Sequence, residues 1–92
     1  MSDHAAPANP SPLRVLLIED SEDDAALILH ALRRGGYEPQ AERVQDEATL
    51  RAALQRGPWD VVLSDHCMPQ FESMDALRLV REHDPDLPFI IV

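Results

Sequence analysis

A single cysteine, Cys67, occurs among the 92 residues, so no internal disulfide can form and a reducing compartment is the default expectation. Aromatic residues make up only 4%, which leaves the core to Leu, Val, Ile and Ala. No apolar run approaches the length of a bilayer span. The first dozen residues lack the basic start and apolar stretch of a secretory signal. The chain is therefore expected in the cytoplasm, without a membrane partner. Lysine is absent altogether, and 8 basic residues stand against 17 acidic ones, for a formal net charge of -9. That balance argues against nucleic-acid binding, which needs cations to meet phosphates. It suits a cation ligand or a basic partner, and it equally suits plain solubility.

What is present fits one small domain, with 45% hydrophobic and 27% charged residues. A chain this short buries a modest fraction of its surface and should be marginally stable. Residues 1–12 (MSDHAAPANPSP) have no periodicity and read as a disordered tail. Residues 13–92 read as the domain.

Residues 14–18 (RVLLI), 59–64 (WDVVLS) and 89–92 (FIIV) are short aliphatic runs with little alternation, the pattern of strands buried on both faces of a parallel sheet. Residues 37–44 (YEPQAERV) form a weaker strand signal; Pro39 cannot donate to a ladder, which predicts an edge strand. Ser21 followed by Glu22, Asp23 and Asp24 predicts a helix start, because a cap hydroxyl and first-turn acids satisfy the free N–H groups and the positive dipole end. Ala25, Ile28, Leu29 and Leu32 recur at helical spacing until Gly35 and Gly36 stop the helix. Asp46 caps a second predicted helix with Leu50, Ala53 and Leu54 facing inward, and Gly57-Pro58 ends it. Ser73 is expected to cap a third, with Met74, Leu77 and Val80 as its buried stripe. The order β-α-β-α-β-α-β implies an α/β fold, a parallel sheet with helices on both faces.

In open α/β sheets, ligands bind beyond the carboxyl ends of the strands, where the strand order reverses. Glu19, Asp20 and Asp65 each follow a predicted buried strand. If the first and third strands are neighbours, the three carboxylates converge. Carboxylates so placed resist ionising together unless a cation compensates. Oxygen ligands in a partly hydrated site suit Mg2+, beside which one carboxylate can act as nucleophile toward a phosphoryl group. Acids at strand ends are also common as caps and as solvated loop residues; the tandem pair together with a third acid is what favours a site.

Residues 15–20 (VLLIED) and 60–69 (DVVLSDHCMP), with the D-x-x-M-P pattern from Asp65 to Pro69, resemble the first strand and the phosphoacceptor loop of bacterial two-component response-regulator (CheY-like) receiver domains. Residues 88–92 (PFIIV) are similar to the family's fourth strand, and the spacing of Asp20 and Asp65 matches the family pattern. The resemblance implies a flavodoxin-like doubly wound sheet, here incomplete, with strand order 2-1-3-4. It implies that Asp65 accepts phosphoryl from a histidine kinase or phosphotransfer protein. It further implies that Glu19, Asp20, Asp65 and the backbone carbonyl of Cys67 hold Mg2+, while Met68 and Pro69 shape the loop. On this reading the chain is a signalling module that catalyses its own phosphorylation and dephosphorylation, not a metabolic enzyme. An output domain in a longer parent chain fits family habit.

There are departures from the family. Ser73 stands where Gly is usual, and Glu19 where Asp is commoner, with a longer reach. The sequence stops at Val92, before the family's Ser or Thr after the fourth strand and its Lys after the fifth. A charge-assisted contact of the kind that Lys makes is worth roughly 1.5–3 kcal/mol, so this chain alone is expected to bind metal but to phosphorylate poorly. Its last strand should present an open apolar edge, completed by more of a parent chain, by a partner or by a strand-exchanged dimer. The alternative function is a phosphorylation-independent interaction module. A phosphatase with an aspartyl-phosphate intermediate ranks behind both, because such enzymes place a second acid two residues after the nucleophile, where Cys67 stands. Cys67 with His30, His66 and His83 lacks the spacing of a zinc site. Trp59 reads as a packing residue and Leu27 as lying outside the inward stripe of its helix.

Overall fold

The computed structural model describes residues 10–65 and 71–92. Four strands and three helices alternate: β1 (Ser11–Ile18), α1 (Glu22–Arg34), β2 (Tyr37–Val44), α2 (Glu47–Gln55), β3 (Val61–Ser64), α3 (Ser73–His83) and β4 (Phe89–Ile91). The strands form one parallel sheet in the order β2-β1-β3-β4. This is the flavodoxin-like doubly wound arrangement, and β2 lies at an edge as Pro39 requires.

Side chains alternate across a strand, so β1 and β3 supply both layers. Leu16, Ile18 and Val62 join Val44, Leu50, Ala53, Leu54, Ala76, Leu79 and Val80 in the core beneath α2 and α3. Val15, Leu17 and Leu63 meet Ala25 on the opposite face, where Ile28, Leu29 and Leu32 of α1 pack. Burial on both faces explains why these strands read as continuous apolar runs. Leu16, Ile18 and Leu50 are fully buried, each contributing about 1.5–3 kcal/mol of transfer free energy.

The helix starts follow their caps. Ser21 Oγ accepts from Asp24 N at 3.2 Å, and Asp46 Oδ1 accepts from Thr49 N at 2.8 Å in a reciprocal capping box. Gly36 takes a φ of 97°, a left-handed conformation that only glycine adopts without strain, and turns the chain from α1 into β2.

Four expectations need correction. β1 opens at Ser11, not at residue 14, and so inside the segment expected as tail: Ser11 pairs with Tyr37 and its N–H donates to Gly36 O at 3.0 Å. β3 starts at Val61 instead of Trp59. In α3, Glu72 occupies the cap position without a side-chain cap bond, and Ser73 is the first helical residue. The buried stripe of α3 is Ala76, Leu79 and Val80, while Met74 is 61% exposed. Residues 74, 76, 77, 79 and 80 are all apolar, so two stripes overlap in the sequence; packing against α2 and β4 selects one. Leu27 is exposed, as its place outside the α1 stripe predicts. Ile90, Ile91 and Val92 are about half exposed, at 50%, 48% and 51%, so β4 forms an apolar edge.

Candidate functional site

The strand order reverses between β1 and β3, since the chain passes from β1 to β2 on one side and then to β3 on the other. The register pairs Ile18 with Ser64. The next residues, Glu19 and Asp65, therefore leave adjacent parallel strands side by side. Asp65 N donates to Ile18 O at 2.9 Å, and Glu19 N donates to Val44 O at 3.0 Å. Both residues thus extend the ladder by one step through backbone hydrogen bonds. Asp20 follows at the turn into α1.

Carboxylate oxygens of Glu19, Asp20 and Asp65 all lie within 4.8 Å of one another. Glu19 is buried, with 3% of its surface exposed. Asp65 is half-buried and Asp20 exposed, so the crevice is dry at one wall and open at the other. The Glu19 carboxyl titrates above its ordinary value of 4.5. Burial is the main cause; the nearby charges of Asp65 and Asp24 and a hydrogen bond with Asp65 push the same way, against the stabilising N–H of Ser21. That N–H reaches Glu19 Oε2 at 3.2 Å and fixes the direction of the side chain. An arrangement that crowds like charges and strains the ionisation of one of them matches the donor set of a hard divalent cation.

Nothing in the sequence pattern singles out Arg43. In the structure its Nη1 donates to Glu19 O at 3.1 Å and to Gln45 Oε1 at 3.3 Å, and its Nη2 lies 3.6 Å from Glu22 Oε1. The strand-edge alternation of β2 would have marked it only as a surface residue. His66 and Cys67, with the carbonyl expected as a further metal ligand, lie outside the described residues.

Fold and site together define a doubly wound α/β module with an acidic crevice at its switch point. The model of the response regulator receiver domain family matches residues 15–92, and the chain belongs to that family. It is 30% identical over 79 residues to the response regulator receiver protein CpdR of Brucella abortus, covering 86% of this chain and 64% of that one. It is 32% identical over 75 residues to the DNA-binding transcriptional regulator NtrC of Rhizobium meliloti, covering 78% of this chain and 15% of that one. Its fold is similar to the crystal structure of the receiver domain of a sensor histidine kinase from Pseudomonas aeruginosa PAO1, which has a magnesium ion coordinated in its active-site cleft. The TM-score is 0.71 at 25% identity, over 88% of this chain and 66% of that one. The chain spans less than two thirds of the length of each of these proteins. Among the described residues, no helix is long and apolar enough to cross a membrane.

Proposed function

We propose that this chain is the phosphoacceptor module of a two-component signalling system, in which Asp65 takes a phosphoryl group from a histidine kinase or phosphotransfer protein with the help of Mg2+. The convergence of Glu19, Asp20 and Asp65 within 4.8 Å carries the reading. The three carboxylates would hold the ion, with the Cys67 carbonyl as a further ligand. When bound, Mg2+ supplies positive charge that offsets both the carboxylates and the oxygens of a transferring phosphoryl group.

The chain's own residues do the rest. The backbone bond from Asp65 N to Ile18 O fixes Asp65 at the strand end, where its half-buried carboxylate stands among the acids of the crevice and a donor would approach it. An Asp65 oxygen attacks phosphorus as the P–N bond of phosphohistidine breaks, and the imidazole leaves with the bonding electron pair. Water later cleaves the acyl phosphate and returns phosphate and the free carboxylate. Both steps would be promoted by this module itself, which acts as a switch and not as a metabolic enzyme. The complete acid set counts against an interaction module that never becomes phosphorylated.

A receiver of this kind works in the cytoplasm, beside its kinase. NtrC exceeds this chain greatly in length, which supports an output domain in a parent chain. The half-exposed Ile90 and Ile91 make β4 the edge at which a further strand, of a parent chain or of a second copy, would add.

Intact-mass measurement after incubation with acetyl phosphate and Mg2+ tests the assignment. A gain of one phosphoryl group, absent in Asp65→Asn and absent without the metal, is the expected result. A gain that survives Asp65→Asn would place the acceptor elsewhere.

A further inference from the structure

Besides its contact with the Asp65 carboxyl, Glu19 is held by three hydrogen bonds from different parts of the chain. Its N–H is fixed to Val44 O at 3.0 Å, and its carboxylate by Ser21 N at 3.2 Å. The third partner is a side chain: Arg43 Nη1 donates to Glu19 O at 3.1 Å. That carbonyl belongs to the peptide joining Glu19 to Asp20, so whatever holds it sets the direction in which Asp20 leaves β1. Asp20 is exposed and has no strand of its own to align it. The same guanidinium reaches Glu22 Oε1 at 3.6 Å in the first turn of α1, on the far side of the acidic corner, and Gln45 Oε1 at 3.3 Å just beyond β2. Arg43 thus ties the end of β1, the start of α1 and the end of β2 across the one turn that carries two of the three acids. It does not act on the Glu19 carboxylate by direct pairing: the charges acting there are those of Asp65 and Asp24.

We propose, resting on the metal-binding reading above, that Arg43 is a positioning residue of the acidic site, clamping the Glu19–Asp20 peptide so that the two neighbouring carboxylates face Asp65 and one divalent cation. Its charge alone works in the opposite sense. A fixed cation beside a cation site repels the ion, so removing it should tighten binding if simple electrostatics ruled. Removing a clamp should weaken binding. The sign of the change therefore separates the two effects.

The test is calorimetric titration of the 92-residue chain with MgCl2, paralleled by water-proton relaxation with Mn2+ as the probe. Arg43→Met is expected to weaken both affinities by about tenfold, the lower end of what outer partners of metal ligands contribute. Arg43→Lys, which restores a charged donor to the carbonyl, should recover most of that loss. Arg51→Met, which removes an equal charge from the exposed pair with Glu47, should move neither. Should Arg43→Met fail to fold, Arg43→Gln, too short to span both Glu19 O and Glu22, replaces it with the same expected loss. Unchanged or tighter binding on loss of Arg43, or an equal loss in Arg51→Met, overturns the positioning role. A wild-type chain that binds neither ion sinks the metal-binding reading along with it.

Discussion

Two aspartates bracket β3 and meet opposite surroundings. Asp60, just before the strand, accepts from Arg14 N at 2.8 Å through Oδ2 and returns its own N–H to Arg14 O at 2.8 Å. The Arg14 guanidinium lies 4.8 Å from the centroid of the Trp59 ring, and Trp59 Nε1 donates to Ala53 O at 2.8 Å. The Asp60 carboxylate and the indole N–H of that corner each have a backbone partner, while Arg14 Nε is buried without one. Asp65, four strand residues later, faces two more carboxylates. Sequence alone makes the two look alike, as acids flanking a buried strand. The difference is topological. The amino end of β3 sets Asp60 against the backbone of Arg14 within β1, whereas the carboxyl ends of the two strands bring three acids together. The first end ties its carboxylate to a backbone N–H, and the second crowds three acids within reach of one divalent cation.

The contrast breaks most severely where the two ends share support. Leu16 lies in the middle of β1, between Arg14 and Glu19, and is fully buried. Leu16→Ala should cost about 2–5 kcal/mol in chemical denaturation and weaken metal binding as well, because β1 aligns both corners. A second measurement isolates the acidic end. Mg2+ at a hundredfold excess over its dissociation constant should raise unfolding free energy by about 2.7 kcal/mol through mass action, and Asp65→Asn should lose most of that increment. Asp60→Asn should keep it. The reverse pattern would exchange the roles of the two aspartates. At the structural end, Trp59→Phe keeps most of the apolar packing but drops the indole N–H, and should cost about 1 kcal/mol with metal affinity unchanged.

Much of this could be read from the sequence, for identifiable reasons. The caps at Ser21 and Asp46 are local chemistry, complete within four residues, and both form as expected. The three acids were legible because buried parallel strands announce their ends; alternating strands and helices imply a parallel sheet, but its strand order came only from the family resemblance. The phase of α3 was not legible, since apolar residues at 74, 76, 77, 79 and 80 offer two stripes and only tertiary packing selects between them. Neither was Arg43: an arginine on an edge strand looks like any solvated charge until folding brings a carbonyl from another strand to it. The pairing of Arg14 with Asp60 spans 46 positions and was equally hidden.

The smallest effect is also the one that discriminates by sign. Glu19 and Asp46 are both acids beside helix starts, yet their environments push them apart. The Asp46 carboxylate accepts from Thr49 N and Oγ1, which holds it below its ordinary value of 3.8. Its contribution to stability is complete above 3.8 and is lost as pH falls through the lower folded value. Glu19 is raised, chiefly by burial, so its ionisation opposes folding. That penalty is absent well below 4.5, grows as pH rises through 4.5, and is fully present above the folded value. In metal-free buffer, Glu19→Gln should therefore gain stability relative to wild type as pH climbs across this window, while Asp46→Asn should lose it. Urea midpoints measured from pH 3 to pH 7 give both differences. Saturating Mg2+ should flatten or reverse the Glu19→Gln difference and leave the Asp46→Asn difference alone, because only the first residue stands among charges that the ion would offset. A Glu19→Gln difference that ignores the ion would mean that burial alone, and no shared cation, governs that carboxylate.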